Sequence, residues 1–536
     1  TSLKILDNNI VYTWQAVEGA TSYNISMLNG ETYTTNAVVS SAGLYQSLNL
    51  SSKGLTLGAG DALFASVSAQ GTNNGYIASP YTDIVSLFGN GNMADFANVK
   101  YSFVGKQFDL VADSYDELKT IVFFTLYYRI TNMQLFINYT NYQTSSINGD
   151  YSLALKAYDE IKYIQHSNLT ANGKTKGYNF TVKYYHTNYP TKTAEQTTNC
   201  YQNTEVKPST YTDTPRDDNF DNFKVEQRTN TMMVYNSDQL YYAVEYGCKP
   251  VFPNGDSPAK VVYNASKNVL RNIISDDMSD YDKSLAIYDW ICYNVHYDYD
   301  LVELSETMEN SIEPWKIHDY RGFYIEGVLF DSGQAVCDGI GKTYALLCGI
   351  EGIECYKVTG GAGEQVGTDE NGQPVYPGHA WNKIKLDLVG NDGIGEWYAL
   401  DATWSDFNTK KNANDCMETL NHSFFLRTDS WLTNKQMHHE SGPLTDVANT
   451  YFDYYDYTTY DGTNDILIDN VTELNNLATF VKNANLDSIE FALNYSTNTN
   501  ELLAKFEKTL LSIAKCLTRS YENDNGLHYT IYVIYY

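Results

Sequence analysis

The sequence predicts a multidomain chain: an N-terminal β-sandwich, a central core in which a helix is followed by strands, and two small α/β domains of one type flanking that core. Three observations predict it. The 536 residues exceed what one hydrophobic core organises, at roughly 150 residues per domain. Residues 1–88 alternate short β-prone runs with Gly, Asn and Ser turns. An internal repeat brackets the centre, one copy beginning at 112 and the other at Asp469.

The sandwich, residues 1–88, is read from runs such as VYTWQAVEGATSYNISMLNGE (11–31) and DALFASVSAQG (61–71). Trp14 on an early strand, followed by Ala20 and Tyr23 on the next, resembles a fibronectin type III module. The resemblance implies a spacer or binding unit.

The first repeat domain, 89–186, carries ADSYDELKTIVFFTLYYRITNMQLFINYT (112–140). It aligns without gaps onto the last domain, 446–536, at an offset of 356 (473 − 117). Glu117 and Leu118 meet Glu473 and Leu474, Phe124 meets Phe480, and Asn138 and Tyr139 meet Asn494 and Tyr495. Each copy reads as a capped helix, a strand, a second helix and a closing strand, YNFTVKYY (178–185) in one and YTIYVIYY (529–536) in the other. A weaker third echo is NSDQLYYAVEYGCKPVF (236–252). Residues 187–233, rich in Thr, Asn, Asp and Pro, read as a linker or extended arm.

The core, 234–445, holds three compact motifs: GQAVCDGIGKTYALLCGIEGIECYKV (333–358), GHAWNKIKL (378–386) and GEWYALDATWSD (395–406). After Cys337, the residues Ile340, Tyr344 and Leu347 recur at helical spacing, which places the thiol at or next to a helix N-terminus. The dipole end there favours a thiolate. His379 and Asp401 fall in runs that read as adjacent antiparallel strands. A thiolate nucleophile, an imidazole to move its proton and a carboxylate to hold one tautomer are the three parts of nucleophilic acyl transfer.

The order Cys337, His379, Asp401 with these flanks resembles the transglutaminase-like superfamily of papain-like cysteine enzymes, in its bacterial type. Two further stretches extend the resemblance, SDYDKSLAIYDWICYNVHYD (279–298) before the motifs and HSFFLRTD (422–429) after them. It implies an α+β core in which the three residues form a catalytic triad acting on amide or peptide bonds. Hydrolysis by a cysteine peptidase or amidase is the favoured outcome, with a cross-linking transamidase as the alternative. A non-catalytic surface module, in which the flanking domains do the binding, is the competing class. The Cys337 backbone N–H is the natural first oxyanion donor. Gln334 is a candidate second donor through its side-chain amide, or a loop residue bonded to backbone. Trp381 and Trp404 flank the site and shield its hydrogen bonds, or serve core packing.

Other apparent motifs fail. GIGKT (339–343) lacks the glycine a phosphate loop needs, Val336 standing there. DDNFDN (217–222) has Asn222 for the calcium-loop glycine and Arg228 for its bidentate Glu. The adjacent His438 and His439 make poor metal-ligand geometry and read as a solvated loop. No metal and no cofactor are expected. The cysteines do not form a small-domain framework: Cys292, Cys348 and Cys355 read as buried thiols, and Cys200 and Cys248 are a candidate pair.

Net charge is −29, from 65 acidic and 36 basic residues, which argues against nucleic acid or an anionic membrane surface as partner. No apolar run spans a bilayer. With 48 tyrosines and few basic residues, the composition suits a secreted or cell-surface protein, and the initial Thr1 suggests a leader already removed. The expected partner is a protein or peptide substrate, cell-wall peptides included.

Overall fold

The computed structural model describes residues 1–140, 161–184, 222–307, 320–404, 422–440, 467–493, 504, 508 and 515–535, less short stretches within these spans such as 28–30, 38–43, 72–77 and 389–392. The chain is a multidomain α+β protein. It divides into two compact units, Thr1–Tyr189 with Arg228–Ala259, and Pro190–Gln227 with Lys260–Tyr536.

The first unit opens on antiparallel strands β1 (Ser2–Leu6), β2 (Asn9–Gln15), β3 (Ala20–Met27), β4 (Thr32–Asn36), β5 (Tyr45–Asn49), β6 (Ala62–Gly71) and β7 (Val85–Phe88). They form two sheets, ordered β1-β2-β5 and β4-β3-β6-β7. Alternation sets the inner face: Ile10, Tyr12 and Trp14 of β2 are buried while the residues between them are partly exposed. Trp14 meets Tyr23 edge-on at 5.1 Å in a core shared with Ile25 and Val67. The β1–β2 turn is Asp7-Asn8 with φ of 49° and 62°, a left-handed pair that Asp and Asn tolerate in a two-residue hairpin.

Next come β8 (Lys100–Val104), β9 (Gln107–Ala112), α1 (Tyr115–Tyr127), β10 (Asn132–Ile137), β11 (Ile161–Leu169) and β12 (Lys176–Tyr184), in a sheet ordered β11-β12-β10-β9-β8. α1 starts where the Ser114 side chain accepts from Glu117 N–H at 3.1 Å, and it buries Leu118, Ile121, Val122 and Phe124. A second strand–helix–strand follows, β13 (Thr231–Met233), α2 (Ser237–Glu245) and β14 (Lys249–Val251), its two strands parallel like β9 and β10. It packs with this unit: Tyr246 stacks on Phe123 at 4.5 Å and Tyr127 donates to the Met233 carbonyl at 2.9 Å. These contacts draw residues 228–259 away from the core, which the sequence reading opens at 234. The end of the 187–233 stretch has regular structure too, a short 3-10 helix at Lys224–Gln227 whose Glu226 accepts from Tyr263 at 2.7 Å and Lys267 at 2.9 Å of the second unit.

The second unit holds α3 (Pro258–Ile273), α4 (Asp280–Asn294), β15 (His296–Tyr297), α5 (Tyr299–Thr307), α6 (Ile325–Leu329), β16 (Gln334–Ala335) and α7 (Cys337–Ile350). Then follow β17 (Cys355–Gly361), β18 (Gly367–Thr368), β19 (Pro374–Val375), β20 (Gly378–Leu386), β21 (Glu396–Leu400) and α8 (Asp429–Asn434). Ser279 and Asp282 close a reciprocal capping box on α4. The antiparallel sheet β17-β20-β21 and α4 both pack on α7.

The chain closes with β22 (Leu467–Ile468), α9 (Val471–Ala484), β23 (Ser488–Leu493), β24 (Lys515–Glu522) and β25 (His528–Tyr535), ordered β22-β23-β25-β24. β9-β10-β12-β11 of the first unit has the same order, with the first pair parallel and the others antiparallel in both copies. The offset of 356 (471 − 115) carries the start of α1 onto α9 and, at 488 − 132, the start of β10 onto β23. Asn470 caps α9 as Ser114 caps α1. Strands β11 and β24 are additions that the sequence reading did not contain. The second helix of the first copy lies outside the described residues; of the last copy's, Ala504 and Lys508 are described and are helical.

Candidate active site

The position of Cys337 is built by a turn and a close approach. Gly333 has φ of 64°, so the chain reverses there into β16, which pairs parallel with β15 and sets Tyr297 opposite Ala335. α7 then begins at Cys337, with no side-chain cap from Val336. Its first amides have no acceptor within the helix. A β-carbon on Gly339 would meet the Gly322 carbonyl oxygen at 2.4 Å and that of Tyr324 at 2.8 Å, so only glycine lets this first turn seat against the 322–324 loop. Cys337 is half-buried, whereas Cys292, Cys348 and Cys355 are buried. Cys248 is also buried, and burial pushes its thiol up to about 12; Cys200 lies outside the described residues.

Asp338, the second residue of α7, pairs with Lys342 at 3.0 Å and with the fully buried Lys357 of β17. Lys342 also donates to the Phe323 carbonyl at 3.2 Å. The lysine of GIGKT is thus a strut under the helix start.

His379 and Asp401 come together across β20 and β21. The register that sets Asn382 opposite Leu400 puts Asp401 one residue past the strand end, diagonally across from His379. His379 Nε2 and Asp401 Oδ2 lie 2.7 Å apart, with the aspartate fully buried. The backbone at Asp401 is held on both sides, its N–H donating to the Phe424 carbonyl at 2.8 Å and its carbonyl accepting from the Tyr288 hydroxyl at 3.4 Å. Asp401 Oδ1 accepts from the N–H groups of Thr403, at 2.8 Å, and Trp404, at 3.3 Å.

Cys337 is near enough for its charge and side chain to act on the His379 ring, so the three motifs meet. Burial alone would lower the ring's pKa; the charges of Asp401 and Cys337 and the hydrogen bond to Asp401 overcome this and raise the ring to about 10. Burial likewise opposes ionisation of Asp401, but the His379 charge and the bonds from His379 and His439 hold it well below the usual carboxylate range. Trp404 stacks on His379 at 4.7 Å and 17°, and Trp381 lies parallel to it at 6.0 Å and 19°. Gln334 is exposed on β16.

Two residues at the site escaped the sequence reading. Tyr297 lies beside Cys337, and burial above all raises its hydroxyl pKa strongly. His439 corrects the reading of 438–439 as a solvated loop: it is 1% exposed, and its Nε2 lies 3.1 Å from Asp401 Oδ2. It is drawn in because its N–H donates to Leu432 and Glu440 N–H to Gly361, which tie the segment to α8 and β17. His438 is half-buried and stacks on Tyr376 at 3.9 Å. A ring nitrogen each from His379 and His439 and an oxygen of Asp401 lie within 4.8 Å of one another, a donor set fit for a metal ion. Their nitrogen and oxygen atoms are already engaged with each other.

Residues 267–402 match the Transglutaminase-like superfamily. That span is a transglutaminase-like core and contains all three motif residues. The chain is 27% identical over 145 residues to kyphoscoliosis peptidase of Mus musculus, a match that covers 26% of this chain and 18% of the mouse protein. The matched part is therefore less than a fifth of that relative's length. A solved structure described as "Crystal structure of a TGase" is 15% identical, with 66% of this chain and 68% of the other covered, at a TM-score of 0.19 that carries no weight for the fold.

Proposed function

We propose that this core is a thiol-dependent acyl-transfer enzyme that hydrolyses amide or peptide bonds, with Cys337, His379 and Asp401 as its catalytic triad. The observation that carries the reading is one imidazole bonded to a buried carboxylate and within electrostatic reach of a half-buried thiol, with its pKa raised to about 10. Such a ring is charged at neutral pH and stabilises a thiolate beside it. Because Nε2 faces Asp401, Nδ1 serves Cys337. The thiolate attacks the amide carbonyl carbon, and the oxyanion formed is held by the Cys337 N–H and a second donor from the Gln334 amide or the Tyr297 hydroxyl. As the C–N bond breaks, Nδ1–H passes its proton to the departing amine. Water then gives its proton back to Nδ1, attacks the thioester, and releases the acid and the thiolate.

A lysine amine in place of water would give transamidation through the same thioester. The peptidase name of the mouse relative favours water. The three-plus-four antiparallel sheets at residues 1–88 support a fibronectin type III reading for that module, and the acidic, tyrosine-rich composition supports a secreted or cell-surface setting. Iodoacetamide at neutral pH, followed by peptide mass spectrometry, tests the triad. Cys337 should be alkylated at least about tenfold faster than any other cysteine, and Cys337→Ala should reduce amidase activity to background. Uniform labelling would refute the triad.

A further inference from the structure

We infer that His439 is a positioning residue of the triad: it holds the Asp401 carboxylate at the same oxygen that His379 bonds, so that the working unit is a His–Asp–His relay rather than a single pair. The inference rests on the catalytic reading above and goes beyond it, because neither the motifs nor the matched span, which ends at 402, includes this histidine. Asp401 Oδ2 faces two ring nitrogens, His379 Nε2 at 2.7 Å and His439 Nε2 at 3.1 Å, while Oδ1 takes two backbone N–H groups. The carboxylate is fully buried, so its ionised form depends on these donors in place of water. His439 supplies one and fixes which oxygen points at His379.

The ring is itself held in place. Trp404 meets it edge-on at 4.4 Å and Trp381 at 5.0 Å, the two indoles that also lie parallel to His379. The Thr433 hydroxyl donates to the His439 carbonyl at 3.0 Å. Both imidazoles are thus set against one pair of tryptophans and one carboxylate, and the two rings meet edge-on at 5.5 Å.

His439→Phe keeps a ring against the tryptophans but removes the N–H. His439→Gln keeps an N–H donor where Nε2 lay. In the full chain, His439→Phe should slow alkylation of Cys337 by iodoacetamide about tenfold and lower kcat similarly with little change in KM, whereas His439→Gln should stay within about threefold of the wild type. On an Asp401→Asn background, His439→Phe should cost less than about twofold more. Equal losses for the Phe and Gln variants, or a full loss when His439→Phe is added to Asp401→Asn, would overturn the relay. If the Phe variant does not fold, histidine-selective ¹⁵N labelling of the wild type decides: protected Nε2–H signals are expected from both His379 and His439, and an unprotonated His439 Nε2 would overturn it. Slow alkylation of wild-type Cys337 would instead sink the catalytic reading. Fast alkylation unaffected by His439→Phe would sink only this inference.

Discussion

Asp401 and Asp289, both buried in the second unit, are each held by a buried histidine, and the difference between the His379–Asp401 and His422–Asp289 pairs separates a structural device from a candidate catalytic one. His379 Nε2 lies 2.7 Å from Asp401; His422 Nε2 lies 2.6 Å from Asp289, with both partners buried. Each imidazole is stacked, His379 on Trp404 and His422 on Tyr288 at 5.9 Å and 25°. The His422 pair joins α4 to the 422–429 segment, and that segment offers the Phe424 carbonyl to Asp401 N–H while Tyr288 of α4 donates to the Asp401 carbonyl. One pair therefore serves as a rivet beneath the other. What distinguishes His379 is a third group, the Cys337 thiol on the first residue of a helix.

The largest effect expected from this contrast is on Asp401. Asp401→Asn should leave the fold in place and lower kcat by roughly 10³-fold, because the imidazole loses its tautomer and its counter-charge. The pH profile should move as well. With Asp401 present, His379 stays protonated up to about pH 10, so activity that needs its proton should fall away only as the pH approaches 10. Without the carboxylate, burial favours the neutral ring, and the basic limb should shift to lower pH. Stability follows the same linkage: the raised His379 pKa contributes stability that is fully present below its ordinary 6.5 and is lost as pH rises through about 10. The depressed Asp401 contributes stability present above its ordinary 3.8 and lost on acidification. A basic limb that did not move in Asp401→Asn would assign the raised pKa to something other than Asp401.

Asp289→Asn should do the converse. It weakens a buried hydrogen bond without touching Cys337, so a loss of about 1–3 kcal/mol in a urea melt is expected, with kcat per folded molecule within about threefold of the wild type. A loss of kcat near that of Asp401→Asn would erase the distinction between the two pairs.

Part of this was legible in the sequence, for physical reasons. Ile340, Tyr344 and Leu347 repeat at helical spacing, and α7 begins at Cys337. Short β-prone runs either side of a Gly-rich turn mark β20 and β21, so the adjacency of His379 and Asp401 follows from strand pairing. His439 has no such mark. It lies 38 residues beyond Asp401, and single hydrogen bonds of its backbone to Leu432 and Thr433 seat it rather than a periodic face. Tyr297 is carried by a two-residue strand, too short for any alternation to show. The strand–helix–strand at 231–251 shows in the sequence only as a weak echo of the repeat, because its strands are three residues each. Its place in the first unit rests on aromatic contacts such as Phe123 with Tyr246, and those couple residues far apart in the chain.

The smallest expected effect belongs to the cysteine that the comparison leaves as packing. Cys348 lies on α7 three turns after Cys337, fully buried, where Tyr344 of the same helix donates to the Ser284 carbonyl of α4 at 3.1 Å. A thiol there fills volume between α7 and its neighbours, three turns along the helix from Cys337. Cys348→Ala removes one sulfur from a closed site, so the cavity and lost contacts should cost about 1 kcal/mol, read as a lower urea midpoint at unchanged slope. The rate of Cys337 alkylation and the amidase kcat should stay at wild-type values. Abolished activity in Cys348→Ala together with retained activity in Cys337→Ala would move the nucleophile to the wrong end of α7, away from the free amides of its first turn and from the His379 ring, and the site assignment would fall with it.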